Sequence, residues 1–110
     1  MKENYDLIIV GGGAAGLFAA ALAADQAPDL SVLLVERNDR VGKKLITTGN
    51  GRCNISNTSV LSDKYYGGTS FAQDVFKNFT REQTLEFFDK IGIPTVEEED
   101  GKLFPRALQA

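Results

Sequence analysis

The stretch that decides the fold is residues 7–36, LIIVGGGAAGLFAAALAADQAPDLSVLLVE. It contains a short apolar segment, a glycine cluster, an alanine-rich segment and a second apolar segment rich in valine and leucine. These patterns predict a strand, a helix and a second strand, over residues 5–10, 14–24 and 31–35. Such a unit of about thirty residues is typical of βαβ structure with parallel strands. We therefore expect an α/β fold with a Rossmann-like nucleotide-binding βαβ domain.

The glycine spacing in this unit predicts a dinucleotide-binding site. Gly11, Gly13 and Gly16 follow the pattern GxGxxG directly after the first predicted strand. In that pattern the first glycine permits a tight turn, the second lets a pyrophosphate approach the backbone, and the third allows helix and strand to pack closely. The start of the helix also attracts phosphate. The same spacing occurs in other loops and in kinase phosphate covers, but the βαβ context favours a dinucleotide.

Glu36 indicates which part of the ligand this site would bind. It lies at the end of the second predicted strand, twenty residues after Gly16. A carboxylate there accepts hydrogen bonds from the ribose hydroxyls of an adenosine, and it would repel the 2′-phosphate of NADP. The ligand should therefore carry ADP, as both FAD and NAD do.

The composition argues against several other functions. One cysteine and no histidine among 110 residues leave no intrachain disulfide, no multi-cysteine or histidine metal site and no serine–histidine hydrolase. The net charge of -3 gives no reason to expect nucleic acid or an anionic membrane as a partner. The first residues lack the pattern of a signal peptide. We therefore expect a cytoplasmic chain; the sequence leaves its oligomeric state open.

The length suggests an incomplete domain. A doubly wound sheet needs more parallel strands than the two predicted here. Residues 104–110 resemble the start of another helix. We therefore expect the chain to continue beyond Ala110, and we expect apolar residues of the first unit to be partly exposed without that continuation: Leu7, Ile9 and Leu34.

Charge is segregated in the rest of the chain. Residues 37–52 contain five basic residues and one acid, whereas residues 82–100 contain seven acids and one base. The basic stretch could face a phosphate or a flavin, although its two adjacent lysines alone favour a solvated loop. Gly49 and Gly51 shift the interpretation toward a ligand, because glycines at this spacing free backbone N–H groups to form a small anion-binding nest.

Residues 42–57, GKKLITTGNGRCNISN, resemble a motif of a family of bacterial flavoproteins. The family comprises NAD(P)/FAD-dependent, aminoacetone-oxidase-like oxidoreductases, including BaiN-like proteins. Residues 101–106, GKLFPR, resemble a second motif of the same family, although Ala107 stands where the family often has serine. Together with GxGxxG, these motifs follow the order found in the family.

The resemblance implies an FAD-dependent oxidoreductase, with NAD(P)H as a candidate electron donor. Residues 1–110 would then be the N-terminal part of an FAD-binding domain that other domains interrupt, with its remainder beyond Ala110. The implied FAD contacts are the pyrophosphate at Gly11, Gly13, Ala14, Ala15 and Gly16, the ribose at Glu36, the adenine side at Arg37, and the flavin half at Lys44, Gly51, Arg52, Cys53 and Asn54.

Alternatives remain open from the residues alone. Neither the glycines nor Glu36 distinguishes FAD from NAD, so a non-catalytic module that binds NAD or ADP and an ordinary NAD-dependent dehydrogenase are both alternatives. Cys53 also has two interpretations. A thiol beside a flavin could exchange electrons, but flavoenzymes of the disulfide type need two cysteines, so packing or a backbone contact is favoured.

The remaining segments predict structural elements. Two capping boxes indicate the starts of helices: Ser70-x-x-Gln73 and Thr80-x-x-Gln83. Gly92 suits the position after the second helix, and residues 94–104 suggest an antiparallel hairpin that turns at Asp100-Gly101. Residues 65–68 predict a loop. The aromatic residues assigned to the core are Phe71, Phe76, Phe79, Phe87 and Phe88.

Overall fold

The computed structural model describes residues 3–59 and 66–110. The chain forms two compact units, one ending at Thr47 and the other beginning at Thr48. The first unit contains the predicted βαβ elements and a 3-10 turn: β1 (Leu7–Val10), α1 (Ala14–Gln26), β2 (Val32–Val35) and Leu45–Thr47. The predicted α/β class is confirmed.

β1 and β2 form a parallel pair, with Leu7 opposite Val32 and Val10 opposite Val35. Both strands begin later than predicted, because Asp6 and Ser31 bond to each other ahead of the ladder. The Ser31 N–H donates to Asp6 Oδ2 at 2.9 Å, and the Asp6 N–H donates to Ser31 Oγ at 3.0 Å. The helix between the strands ends at Gln26, two residues later than predicted.

The two faces of this parallel sheet differ in exposure. Leu7, Ile9 and Leu34 are half-buried, in agreement with their predicted partial exposure. On the opposite face Ile8 and Val10 are 56% and 84% exposed. Parallel sheets normally bury both faces, so this face of the sheet lacks the cover that a parallel sheet usually has.

The second unit combines an antiparallel sheet with two helices. Its elements are β3 (Ser56–Asn57), α2 (Thr69–Asn78), α3 (Arg81–Lys90), β4 (Thr95–Glu97), a 3-10 turn (Glu99–Gly101) and β5 (Lys102–Pro105). The sheet order is β3-β5-β4. β4 and β5 form the predicted hairpin, in which Asp100 and Gly101 have φ of +59° and +74°. β3 was not predicted, because two residues are too few to show an alternating pattern.

The predicted capping box at Thr80 is confirmed. The Gln83 N–H donates to Thr80 Oγ1 at 3.2 Å, and the Thr80 N–H donates to Gln83 Oε1 at 2.8 Å. Gly92 follows α3 with φ +88°, as predicted. Both ends of α3 are therefore specified by local sequence.

The predicted capping box at Ser70 is wrong. α2 begins at Thr69, two residues before the start that an N-cap at Ser70 implies, and no side chain caps it. The turn at Gly67, with φ +80°, allows this start, because it lets the Phe71 N–H reach the Gly68 carbonyl oxygen at 3.1 Å. Ser70 therefore lies inside the helix. Residue 65 of the predicted loop lies outside the described residues.

The core of the second unit is smaller than predicted. Phe87, Leu103 and Phe104 are buried, whereas Phe71 is 74% exposed, so its assignment to the core is wrong. Phe71 lies on the outer side of a helix whose start differs from the prediction. The remaining predicted core aromatics are half-buried: Phe76, Phe79 and Phe88.

Residues 104–110 do not start a helix. Phe104 pairs with Val96 in the hairpin, and this pairing draws the segment into β5. After Pro105 the chain turns, with the Leu108 N–H donating to the Pro105 carbonyl oxygen at 2.8 Å.

None of the helices in the described part of the chain has the length and apolar character that a membrane-spanning helix needs.

Candidate functional site

The glycine turn between β1 and α1 requires glycine for different reasons at different positions. Gly11 has φ +101°, which L side chains rarely adopt. A Cβ added at Gly16 would collide with the carbonyl oxygen of Gly11 and lie 3.4 Å from Ile9 Cγ2. A Cβ added at Gly13 would meet no atom within 4 Å. The predicted turn and close packing are confirmed, and Gly13 borders open space.

The start of α1 presents hydrogen-bond donors beside Gly13. The first bond of the helix runs from the Leu17 N–H to the Gly13 carbonyl oxygen, at 2.9 Å. The N–H groups of Ala14, Ala15 and Gly16 therefore precede the helical ladder. Gly13, Ala14 and Ala15 are exposed, and the first turn contains no acidic residue that would compete for these donors. This arrangement is suited to an anion.

Glu36 is hydrogen bonded to the glycine turn as well as to its own loop. Its Oε1 accepts from the Gly12 N–H and its Oε2 from the Asn38 N–H, each at 2.8 Å. The bond from Asn38, followed by the bond from Gly12, holds the pKa of Glu36 below its ordinary value. A carboxylate oxygen accepts more than one hydrogen bond, so the group can still accept from ribose hydroxyls. No pattern in the sequence predicts the contact with Gly12.

These residues fit the ADP half of a dinucleotide. Exposed N–H donors stand beside the open space at Gly13, where a pyrophosphate needs room and donors. Glu36 supplies a charged acceptor bonded to the same turn, as a ribose requires. Nothing in this part of the site distinguishes FAD from NAD.

The other predicted residues of the first unit lie in the segment after β2. Arg37 and Lys44 are exposed, and neither forms an ion pair with another described residue. Lys43 pairs with Asp39 at 3.6 Å on the surface, in keeping with the solvated-loop interpretation of that lysine. The first unit thus contains these predicted site residues: Gly11, Gly13, Ala14, Ala15, Gly16, Glu36, Arg37 and Lys44.

The remaining predicted residues lie in the second unit, on a left-handed turn that begins at Thr48. Gly49, Asn50 and Gly51 have φ of 56°, 57° and 81°. The Arg52 N–H donates to the Gly49 carbonyl oxygen at 3.1 Å. Left-handed backbone is costly for residues other than glycine and asparagine, so this composition suits the turn. The backbone freedom predicted for the two glycines is confirmed, whereas anion binding there stays a prediction.

The residues that follow the left-handed turn differ in their contacts, and the Arg52 side chain contacts the hairpin. The Arg52 guanidinium lies 4.5 Å from the ring centroid of buried Phe104, a cation–π contact. Cys53 is a half-buried free thiol with φ +62°, and its N–H donates to the Thr48 carbonyl oxygen at 3.0 Å. Asn54 is exposed.

The parallel βαβ unit with its glycine turn defines a Rossmann-type domain. Residues 5–110 match the family model described as the HI0933-like protein Rossmann domain. The chain belongs to this family.

Relatives whose names describe different functions match the same region. The 3-dehydro-bile acid delta(4,6)-reductase of Clostridium scindens is 42% identical over 103 residues, which cover 93% of this chain and 25% of the relative. The ribosomal RNA dihydrouridine synthase of Escherichia coli is 35% identical over 103 residues, with the same coverage. The digeranylgeranylglycerophospholipid reductase 1 of Methanococcoides burtonii is 33% identical over 110 residues, covering 98% and 26%. The chain spans about a quarter of the length of these relatives.

Proposed function

We propose that this chain forms the ADP-binding part of an FAD-dependent oxidoreductase. The open space at Gly13, bordered by the first N–H groups of α1, carries this proposal. A pyrophosphate in that space would accept from the N–H groups of residues 13–16, and the adenosine ribose would donate to Glu36.

The assignments outside the glycine turn depend on the family resemblance. Arg37 would lie at the adenine, and its exposure after β2 supports this role. The residues that would contact the flavin half are Lys44, Gly51, Arg52, Cys53 and Asn54. A bound flavin would carry the electrons, while the residues of this chain bind and orient it. The contact of Arg52 with Phe104 supports a fixed position for this cation.

The relatives support a cofactor-binding role for the shared region. Their names refer to a bile acid, to ribosomal RNA and to a phospholipid, yet all three match nearly the whole of this chain. A region common to proteins with such different substrates is better explained by a shared cofactor than by a shared substrate. We propose NAD(P)H as the electron donor and the cytoplasm as the compartment. The expectation of no nucleic-acid partner concerns this region alone, because it depends on the charge of these residues.

The visible absorption spectrum of the intact purified protein tests the proposal. We expect a flavin spectrum, release of FAD on denaturation, and rebinding of FAD in competition with ADP. FMN, which lacks the adenosine, should rebind poorly. A colourless protein that binds NAD but not FAD would favour the dehydrogenase alternative, and a protein that binds neither would overturn the proposal.

A further inference from the structure

Gly12 is buried, unlike the exposed residues that follow it, and both of its backbone polar groups are bonded. Its N–H donates to Glu36, and its carbonyl oxygen accepts from the Gly42 N–H at 2.7 Å. Val41 covers the same residue, because a Cβ added at Gly12 would lie 2.7 Å from Val41 Cγ1. The segment after β2 thus contacts Gly12, in the middle of the glycine turn, through one hydrogen bond and through the packing of Val41.

The bond from Gly42 fixes the direction of the next N–H group. The Gly12 carbonyl and the Gly13 N–H belong to one planar trans peptide, so they point in opposite directions. Because the carbonyl points to Gly42, the Gly13 N–H points away from that segment. A Cβ added at Gly13 would meet no atom within 4 Å, which leaves room for an anion beside this residue.

We propose that Gly42 is a positioning residue, which orients the Gly12–Gly13 peptide so that the Gly13 N–H donates to the pyrophosphate of the bound dinucleotide. This inference rests on the proposed function, since it presumes that a pyrophosphate binds at the turn. It adds a residue from the segment after β2 to the phosphate site, although that residue would not touch the ligand itself.

The backbone of Gly42 supplies a matched pair of variants. Gly42 has φ +69°, and a Cβ added there would meet Leu17 Cδ1 at an ordinary 3.5 Å. A side chain therefore has space at position 42, and the positive φ is what restricts which residues can replace the glycine. Asparagine tolerates left-handed backbone, whereas a β-branched residue does so rarely. Gly42→Asn should keep the bond to Gly12, while Gly42→Val, of similar size, should displace it.

The affinities of the intact protein for ADP and for adenosine test the proposal. The preference for ADP over adenosine measures the phosphate contacts separately from the ribose contacts at Glu36. In Gly42→Val this preference should fall roughly tenfold, the scale of one lost hydrogen bond to a charged group, while Gly42→Asn stays close to wild type. A merely structural role would weaken both ligands alike and leave the preference unchanged, which would overturn the proposal.

If Gly42→Val does not fold, amide NMR of the wild-type protein tests whether Gly42 orients the Gly12–Gly13 peptide. The Gly42 amide should be protected from exchange without ligand, and the Gly13 amide should shift with ADP but not with adenosine. A Gly42 amide that exchanges as fast as an open loop, or a Gly13 amide that ignores ADP, would overturn the inference. If wild-type protein binds ADP no better than adenosine, the proposed function itself fails.

Discussion

The glycines of the turn between β1 and α1 are required for different physical reasons, so the same substitution should have different consequences at each of them. Glycine is required at position 11 by a positive φ and at position 16 by the close approach of α1 to β1. Neither reason applies at Gly13. Both reasons belong to the fold. For Gly13 we propose a ligand as the reason, since a side chain there would occupy the space in which we place the pyrophosphate.

Gly13→Val should abolish FAD retention and leave the fold intact, because its side chain enters the open space where we place the pyrophosphate. Gly16→Ala should instead destabilise the chain by about 1–3 kcal/mol, the usual cost of overpacking, because its methyl group meets the Gly11 carbonyl. Equilibrium dialysis and denaturant unfolding separate the two effects. Unchanged FAD affinity in folded Gly13→Val would remove the glycine turn from the binding site.

Glu36 should make stability depend on pH. The N–H groups of Asn38 and Gly12 lower the pKa of its carboxyl, so the folded state favours the deprotonated form. This contribution is fully present above the ordinary pKa of glutamate and is lost as the pH falls through the lowered folded-state pKa. Glu36→Gln does not titrate there. The stability difference between wild type and Glu36→Gln should therefore be largest at neutral pH and shrink in acid; a constant difference across this range would contradict the assignment.

The roles of the turn glycines could be predicted from the sequence because each depends on local spacing. The two hydrogen bonds of the Gly12 backbone could not be predicted from the sequence. They join it to Glu36 and Gly42, and the bond to Gly42 involves backbone groups alone, for which no side-chain type gives a signal.

At the scale of elements, the two predicted capping boxes had different outcomes. The Thr80 box succeeded because both of its hydrogen bonds form. The Ser70 box has a hydroxyl residue and a glutamine at the same spacing, but the glycines before it let the helix begin at Thr69. A capping motif therefore competes with the backbone freedom of the residues before it.

The two boxes give a matched pair of substitutions. Thr80→Ala should destabilise the protein by about 1 kcal/mol, the typical cost of losing an N-cap side chain. Ser70→Ala should be nearly neutral, because Ser70 lies inside α2 and caps nothing. Thermal unfolding of both variants of the intact protein measures the difference. An equal loss in the two variants would show that Ser70 caps its helix in solution.

At the scale of the whole chain, the first unit has the two parallel strands that the sequence predicted, fewer than a doubly wound sheet contains. Two parallel strands with a helix on one side leave the other face uncovered, and sheets of this size are marginal alone. The sequence predicts partial exposure of Leu7, Ile9 and Leu34, whereas Ile8 and Val10 on the opposite face are more exposed. The two faces could not be distinguished from the sequence, since both strands are apolar throughout and show no alternation.

This uncovered face should govern the behaviour of residues 1–110 produced alone. We expect self-association, because Ile8, Val10 and Val35 present apolar surface on one side of the sheet. We also expect weaker FAD binding than in the intact protein, because the glycine turn and Glu36 would hold only the ADP half. The relatives, about four times as long, support the proposal that further chain completes the domain.

A single substitution on either face distinguishes association through this surface from general unfolding. Val10→Thr keeps the side-chain shape and adds a hydroxyl on the exposed face, so it should reduce association without loss of stability. Val32→Thr makes the same change on the face covered by α1, where Val32 pairs with Leu7, so it should destabilise the unit and leave association undiminished. Light scattering and FAD titration of both variants, beside the intact protein, measure these outcomes. If residues 1–110 are monomeric and hold FAD as tightly as the intact protein, the uncovered face needs no partner and the flavin site ends within this chain.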